Sequence, residues 1–210
     1  MFSYIAGIDE AGRGPVLGPL VICCAFCKRN KEKQLGKIAF RDSKGFSDSQ
    51  RRKIYEKLKE ICNFRFVEIS AADINRLMGE MSLNDIEAMF IADLLKKLEN
   101  ADVMIDMPDR YSWVFRKRME KFGIKRFEAE HKADEKYPIV AAASICAKVV
   151  RDDKIARIRE ATLDFGSGYP CDRKTIAALK DRESYAKLKP FVRTRWKTLD
   201  TVKQRKLFEE

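Results

Sequence analysis

The chain has 210 residues, 45% apolar and 36% charged, with a formal net charge of +11. That length suffices for one domain with a sizeable core. No apolar run reaches the ~20 residues that span a bilayer and no signal-peptide pattern opens the chain, so a cytoplasmic protein is expected. The positive charge is concentrated: Arg173 to Lys206 holds twelve lysines and arginines against three acids. A block of that kind suits an anionic partner, nucleic acid first among them, with a solvated basic face as the alternative.

In chain order, "SYIAGIDE" and "GPLVICCAFC" read as two strands joined by the turn "AGRGPVL", and polar "KRNKEKQLGK" reads as a loop. Ser47 is placed to cap a helix running through Glu56 towards Cys62. "FRFVEIS" alternates as a strand. Ser70 opens a short helix, and Ser82 caps a longer one over "LNDIEAMFIADLLKKLE". "ADVMID" is a short strand ending on Asp106. A helix follows to about Phe122, then a strand, "IKRFEAE". From Pro138, suited to the first helical position, a long helix covers "IVAAASICAKVVRDDKIARIREA". The remainder is helical and basic around the loop "DFGSGYPCD". This order predicts an α/β layer fold, a mixed sheet flanked by helices. Six cysteines sit mostly in apolar segments. Cys24 and Cys27 form a CxxC inside a strand, where neither zinc nor redox chemistry is served.

Acids fall where strands stop: Asp9 and Glu10 after the first, Asp106 after "VMID", and Asp134 in the turn before the long helix. Such carboxylates are costly unless solvated, paired or bound to a cation. A turn needs one acid rather than two, whereas Asp134 reads equally well as a helix cap. Strand alternation is expected to carry as far as Asp9, leaving Glu10 at the turn to swing towards the same ions. Oxygen ligands without histidine or thiolate favour a hard cation, Mg2+ or Mn2+. Two such ions can activate a water and stabilise the leaving oxygen of a phosphodiester. His131 is the only histidine, and no motif supports Ser-His-Asp chemistry around it. There is no GxxxxGK[ST] or GxGxxG. "GRGP" instead offers backbone N–H groups and one guanidinium, although a tight turn has the same composition. Ser144, Lys148 and Arg151 share one helical face by spacing, as a solvent stripe or as phosphate contacts.

The motifs together resemble one family, the ribonuclease HII (type 2 ribonuclease H) enzymes in their archaeal form. The matching stretches are "GIDEAGRGPVLGPLV" at 7–21, "DSK" at 42–44, "MID" at 104–106, "HKADEKYPIVAAASICAKVVRD" at 131–152 and "GSGYP" at 166–170. The resemblance implies a ribonuclease H-like mixed sheet flanked by helices over residues 1–165, with a basic helical C-terminal extension over 166–210 packed on it. It implies an endoribonuclease cutting the RNA strand, or embedded ribonucleotides, of RNA–DNA hybrid duplexes, leaving 5′-phosphate and 3′-hydroxyl ends. Asp9, Glu10, Asp106 and Asp134 would be the catalytic carboxylates holding two Mg2+ or Mn2+ ions. Gly12, Arg13 and Gly14 would read the 2′-hydroxyl, and Tyr169 would stack on the deoxyribose that follows. Ser43, Lys44, Ser144, Lys148 and Arg151 would contact phosphates. Phe46, Cys171 and Arg195 depart from the family pattern, in the extension and around "DSK". The tail "QRKLFEE" resembles a sliding-clamp-binding box in the spacing of Gln204 and Leu207, without its paired aromatics; an ordinary basic helix end is the alternative. The enzyme is expected to be a monomer; a ribonuclease H-fold DNA nuclease or resolvase, and a non-catalytic basic nucleic-acid-binding protein, are the competing readings.

Overall fold

The computed structural model describes residues 2–39, 46–98 and 100–200. These form a five-stranded sheet in the order β3-β2-β1-β4-β5, with β1 spanning Tyr4–Ala11, β2 Leu20–Lys28, β3 Asn63–Ile69, β4 Ala101–Asp106 and β5 Glu128–Glu130. β1 runs antiparallel to β2 and parallel to β4, and β4 runs parallel to β5. A mixed sheet with helices interleaved is what the element order predicts.

The helices are α1 (Glu32–Ala39), α2 (Asp48–Lys59), α3 (Ala71–Leu77), α4 (Leu83–Leu95), α5 (Ser112–Lys121), α6 (Ala133–Lys136), α7 (Pro138–Ala161), α8 (Arg173–Lys180) and α9 (Arg182–Leu188). Ser47 caps α2 through a reciprocal pair of bonds with Gln50, its hydroxyl accepting from the Gln50 N–H and its own N–H donating to Oε1. Ser70 caps α3 by accepting from the Asp73 N–H at 3.0 Å. Both serines thus satisfy N–H groups that the first helical turn leaves open.

Some elements differ from the sequence reading. The stretch read as a loop after β2 is a short 3-10 turn, Arg29–Lys31, followed by α1. Leu35, Ile38 and Ala39, spaced three and four apart, turn that mostly polar helix onto the core, with Leu35 and Ala39 buried. α2 ends at Lys59, and Cys62 is reached by a turn whose N–H bonds back to the Leu58 carbonyl. The strand expected over "IKRFEAE" is confined to Glu128–Glu130. Asp134 lies inside the single-turn α6 rather than in an open turn.

The residues divide into two units. The first holds the described residues within 2–11, 21–67 and 83–150; the second holds 12–20, 68–82 and the described residues from 151. In the first, Ile5 and Ala11 of β1 and Cys23, Ala25 and Cys27 of β2 pack with α1, α2 and the alanine-rich start of α7. Gly7 is what lets α7 approach: a Cβ there would stand 2.4 Å from the Ile139 carbonyl carbon. The opposite face, with Ala6, Ile8, Ile22, Cys24 and Ile105, is also buried, so both faces are covered. The second unit has its own core, in which Val16 and Leu17 meet Ile155, Phe165, Leu179, Leu188 and Val192.

Candidate active site

Alternation places Gly7, Asp9 and Ala11 on the side of β1 that faces α7. Asp9 is 7% exposed. It accepts from the Glu10 N–H at 2.7 Å and from the Ser144 side chain, whose hydroxyl in turn accepts from Lys148 Nζ at 2.8 Å. The i, i+4 pair read from the sequence is therefore a buried relay onto Asp9, with Ser144 3% exposed. β4 continues the arrangement. Gly7 pairs with Met104 and Ile8 with Ile105 in parallel register, so Asp106 leaves the sheet on the same face as Asp9. Asp106 Oδ1 accepts the Ala133 N–H at 3.1 Å. The neighbouring Lys132 N–H also reaches this carboxylate. Lys132 is held at φ 55°, a left-handed conformation uncommon outside glycine, which turns the chain from β5 into α6 and positions Asp134.

Glu10 departs from expectation. β1 does not stop at Asp9: Glu10 pairs with Ile22 and Ala11 with Val21. Glu10 is therefore a strand residue, and alternation sends its side chain to the face opposite Asp9. The strand persists because β2 supplies partners through Val21.

Burial pushes the Asp9 carboxyl up to about 8, with the charge of Asp106 adding to it and Ser144 opposing. Burial likewise raises Asp106, with the charge of Asp134 adding to it. Desolvation and like charge disfavour ionised acids here, and a nearby cation reverses both effects. The donor set, carboxylate oxygen without thiolate, suits Mg2+ or Mn2+. Among the described residues no three His, Cys, Asp or Glu side chains are grouped so as to hold one ion; the acids stand beside one another without closing a cage.

The chain matches the family model described as ribonuclease HII over residues 6–199. It is 38% identical to the ribonuclease HII of Archaeoglobus fulgidus, with 96% of this chain and 98% of that protein aligned. Its fold superposes on the solved PCNA:RNase HII complex of that organism with a TM-score of 0.86, covering 94% of this chain and 95% of that one at 38% identity. The ribonuclease H2 of Pyrococcus horikoshii superposes at 0.85, covering 96% and 98% at 35% identity. The chain belongs to the ribonuclease HII family. The family is one of nucleases, hydrolases with ribonuclease H activity on RNA–DNA hybrids, and the fold follows its known structures.

The remaining motif residues of the chain lie in the second unit or outside the described residues. Ser43 and Lys44 lie outside them. Gly12 holds φ 90°, and a Cβ there would meet the Pro19 carbonyl oxygen at 2.6 Å, so only glycine fits. A Cβ on Gly14 would stand 3.5 Å from the Tyr169 ring. The Arg151 guanidinium lies 5.2 Å from the centre of that ring and donates to the Ser167 carbonyl at 3.1 Å. Arg151 thus supports the aromatic ring and the glycine turn from beneath. The sequence reading missed Arg193, 0% exposed. Its Nε donates to the Gly18 carbonyl at 2.9 Å and its Nη1 to the Arg13 carbonyl at 3.2 Å. Trp196 Nε1 donates to the Gly14 carbonyl at 3.2 Å. These bonds fix the loop backbone from 175 to 182 residues away in sequence. Inside a basic block, one buried arginine carries no distinguishing signal.

Proposed function

We propose that Asp9, Glu10, Asp106 and Asp134 are the catalytic carboxylates and that they hold two Mg2+ or Mn2+ ions. The observation that carries this is Asp9, buried on the Ser144–Lys148 relay and sharing its sheet face with Asp106. Bound there, two such ions supply a water of lowered pKa and stabilise charge on the leaving oxygen. Ser144 keeps Asp9 oriented, and Lys148 supplies positive charge beside it. The N–H groups of Lys132 and Ala133 fix Asp106, leaving its second oxygen for metal. Glu10, whose side chain leaves β1 on the opposite face, reaches the ions around the carboxyl end of the strand, one residue from where β1 stops. Cleavage leaves 5′-phosphate and 3′-hydroxyl ends.

The Gly12–Arg13–Gly14 turn reads the 2′-hydroxyl, since backbone groups on a glycine turn can both accept and donate to it. Tyr169 stacks on the following deoxyribose, supported by Arg151. Ser43 and Lys44 contact phosphate. Single embedded ribonucleotides are then substrates as well as long hybrids. Residues 1–165 supply the catalytic part and 166–210 the basic extension, in a monomer that works in the cytoplasm. The PCNA complex of the Archaeoglobus relative supports a sliding-clamp contact through the tail, around Gln204 and Leu207, outside the described residues.

The test is cleavage-site mapping on a duplex carrying one ribonucleotide beside its all-DNA twin, with magnesium and manganese compared. Only the ribonucleotide duplex is expected to be cut. Asp9→Asn and Asp106→Asn are each expected to lower cleavage at least ~1,000-fold, the scale of losing a preorganised electrostatic element, while hybrid binding survives in EDTA. Unchanged cleavage in both variants would refute the assignment.

A further inference from the structure

The segment that leaves β4 after Asp106 carries a feature that the cleavage site does not use. Trp113 is 61% exposed, the most exposed large apolar side chain among the described residues, and Tyr111 is 50% exposed. Their rings stack with centres 6.4 Å apart and planes 20° from parallel. The Arg110 guanidinium lies 5.3 Å from the tyrosine ring centre, and the Lys117 ammonium 5.4 Å from that of the tryptophan. Neither ring serves the core, because α5 is anchored by buried Phe115 and Met119.

The surroundings are cationic. Arg110 and Lys117, the two cations at the rings, are both exposed, whereas Arg116, Lys125 and Arg126 further along the segment line a groove with Phe2 and Ala101 at the amino ends of β1 and β4. The segment is held in place: the Arg110 carbonyl lies 3.2 Å from His131 Nε2, just past β5. The next acid, Asp109, is buried and accepts from Arg118 Nε at 3.1 Å and from Asn84 at 2.5 Å. The patch therefore sits at the carboxyl ends of the parallel strands β1, β4 and β5, the edge that carries Asp9 and Asp106.

Exposed rings interleaved with cations match what an unpaired nucleic-acid strand requires: a surface for the face of a base and charges for the flanking phosphates. In a duplex the neighbouring base pairs already occupy both faces of each base, so paired substrate has no use for the rings. We propose that Tyr111 and Trp113, with Arg110 and Lys117, bind a single-stranded extension of the duplex beyond the cleavage site. The proposal rests on the function above only in taking the substrate to be a nucleic-acid duplex.

The test is fluorescence anisotropy in EDTA with two labelled RNA–DNA hybrids, one blunt and one carrying a single-stranded tail of about five nucleotides, within the usual site size. Wild-type protein is expected to bind the tailed hybrid roughly ten-fold more tightly, the effect of stacking about one base. Trp113→Ala and Tyr111→Ala should each reduce that preference, leaving blunt-hybrid affinity as the internal check on folding, and Trp113→Phe should keep most of it. Equal wild-type affinity for the two hybrids would overturn the proposal. So would an alanine variant that weakens both alike, which would make the contact one to the duplex. Because the readout is binding without metal, a protein that prefers tails yet fails to cut would refute the cleavage assignment and leave this one standing.

Discussion

Two aspartates show how local surroundings decide what a carboxyl does. Asp9 is buried beside Asp106, and its proton is held up to about 8, because burial and a like charge both disfavour the ionised form. Asp172 is the reverse. It accepts from the Ser167 N–H at 2.6 Å, the Ser167 hydroxyl at 2.7 Å and the Lys174 N–H at 2.9 Å, and these bonds push it down to about 2. A folded value below the unfolded 3.8 means that the stabilisation is complete above about pH 4 and is lost as pH falls through 2. Asp172 belongs to the loop that presents Tyr169, so that loop should loosen in acid. Asp172→Asn is expected to flatten the acid limb between pH 4 and 2 in thermal unfolding, with wild type and variant compared at each pH.

Among the elements, the contact of β1 with α7 organises the first unit. It depends on a strand residue without a side chain and on a helix rich in alanine. Gly7→Ala would drive a methyl group into the Ile139 and Val140 backbone at 2.4–2.6 Å. Because the obstacle is main chain, the helix itself must move. A loss of about 1–3 kcal/mol is expected, read as a lower urea midpoint at unchanged slope. Cleavage should fall further than stability does, since the same displacement carries Ser144 away from Asp9. The two strand-end acids share that logic: Asp106 is oriented by the Ala133 and Lys132 N–H groups only because α6 begins from a left-handed residue.

For the molecule as a whole, the charge of +11 sets how hybrids are held. Affinity in EDTA should fall linearly on a log–log plot against salt, with a slope near −0.9 for each duplex phosphate neutralised. Lys44→Ala should make that slope shallower by about one contact, whereas Asp106→Asn, which removes no cation, should leave it in place. A slope unchanged in Lys44→Ala would exclude a phosphate contact for that side chain. Much of this protein was legible beforehand. The alternation of β1, the serine caps of α2 and α3, the proline at the head of α7 and the long motif blocks are local patterns, and local stereochemistry suffices to read them. The sequence by itself therefore determined the order of the strands and longer helices, the mixed α/β class and which acids and glycines to watch. What it left undecided depended on partners distant along the chain. α1 is a helix because the core receives Leu35 and Ala39, and Glu10 stays in the strand because β2 pairs with it. Ser144 serves Asp9 because Gly7 admits α7, and Arg193 holds the glycine turn across 175 to 180 residues. Only the tertiary structure decided those, because hydrogen bonds and burial are satisfied by whichever groups packing brings near.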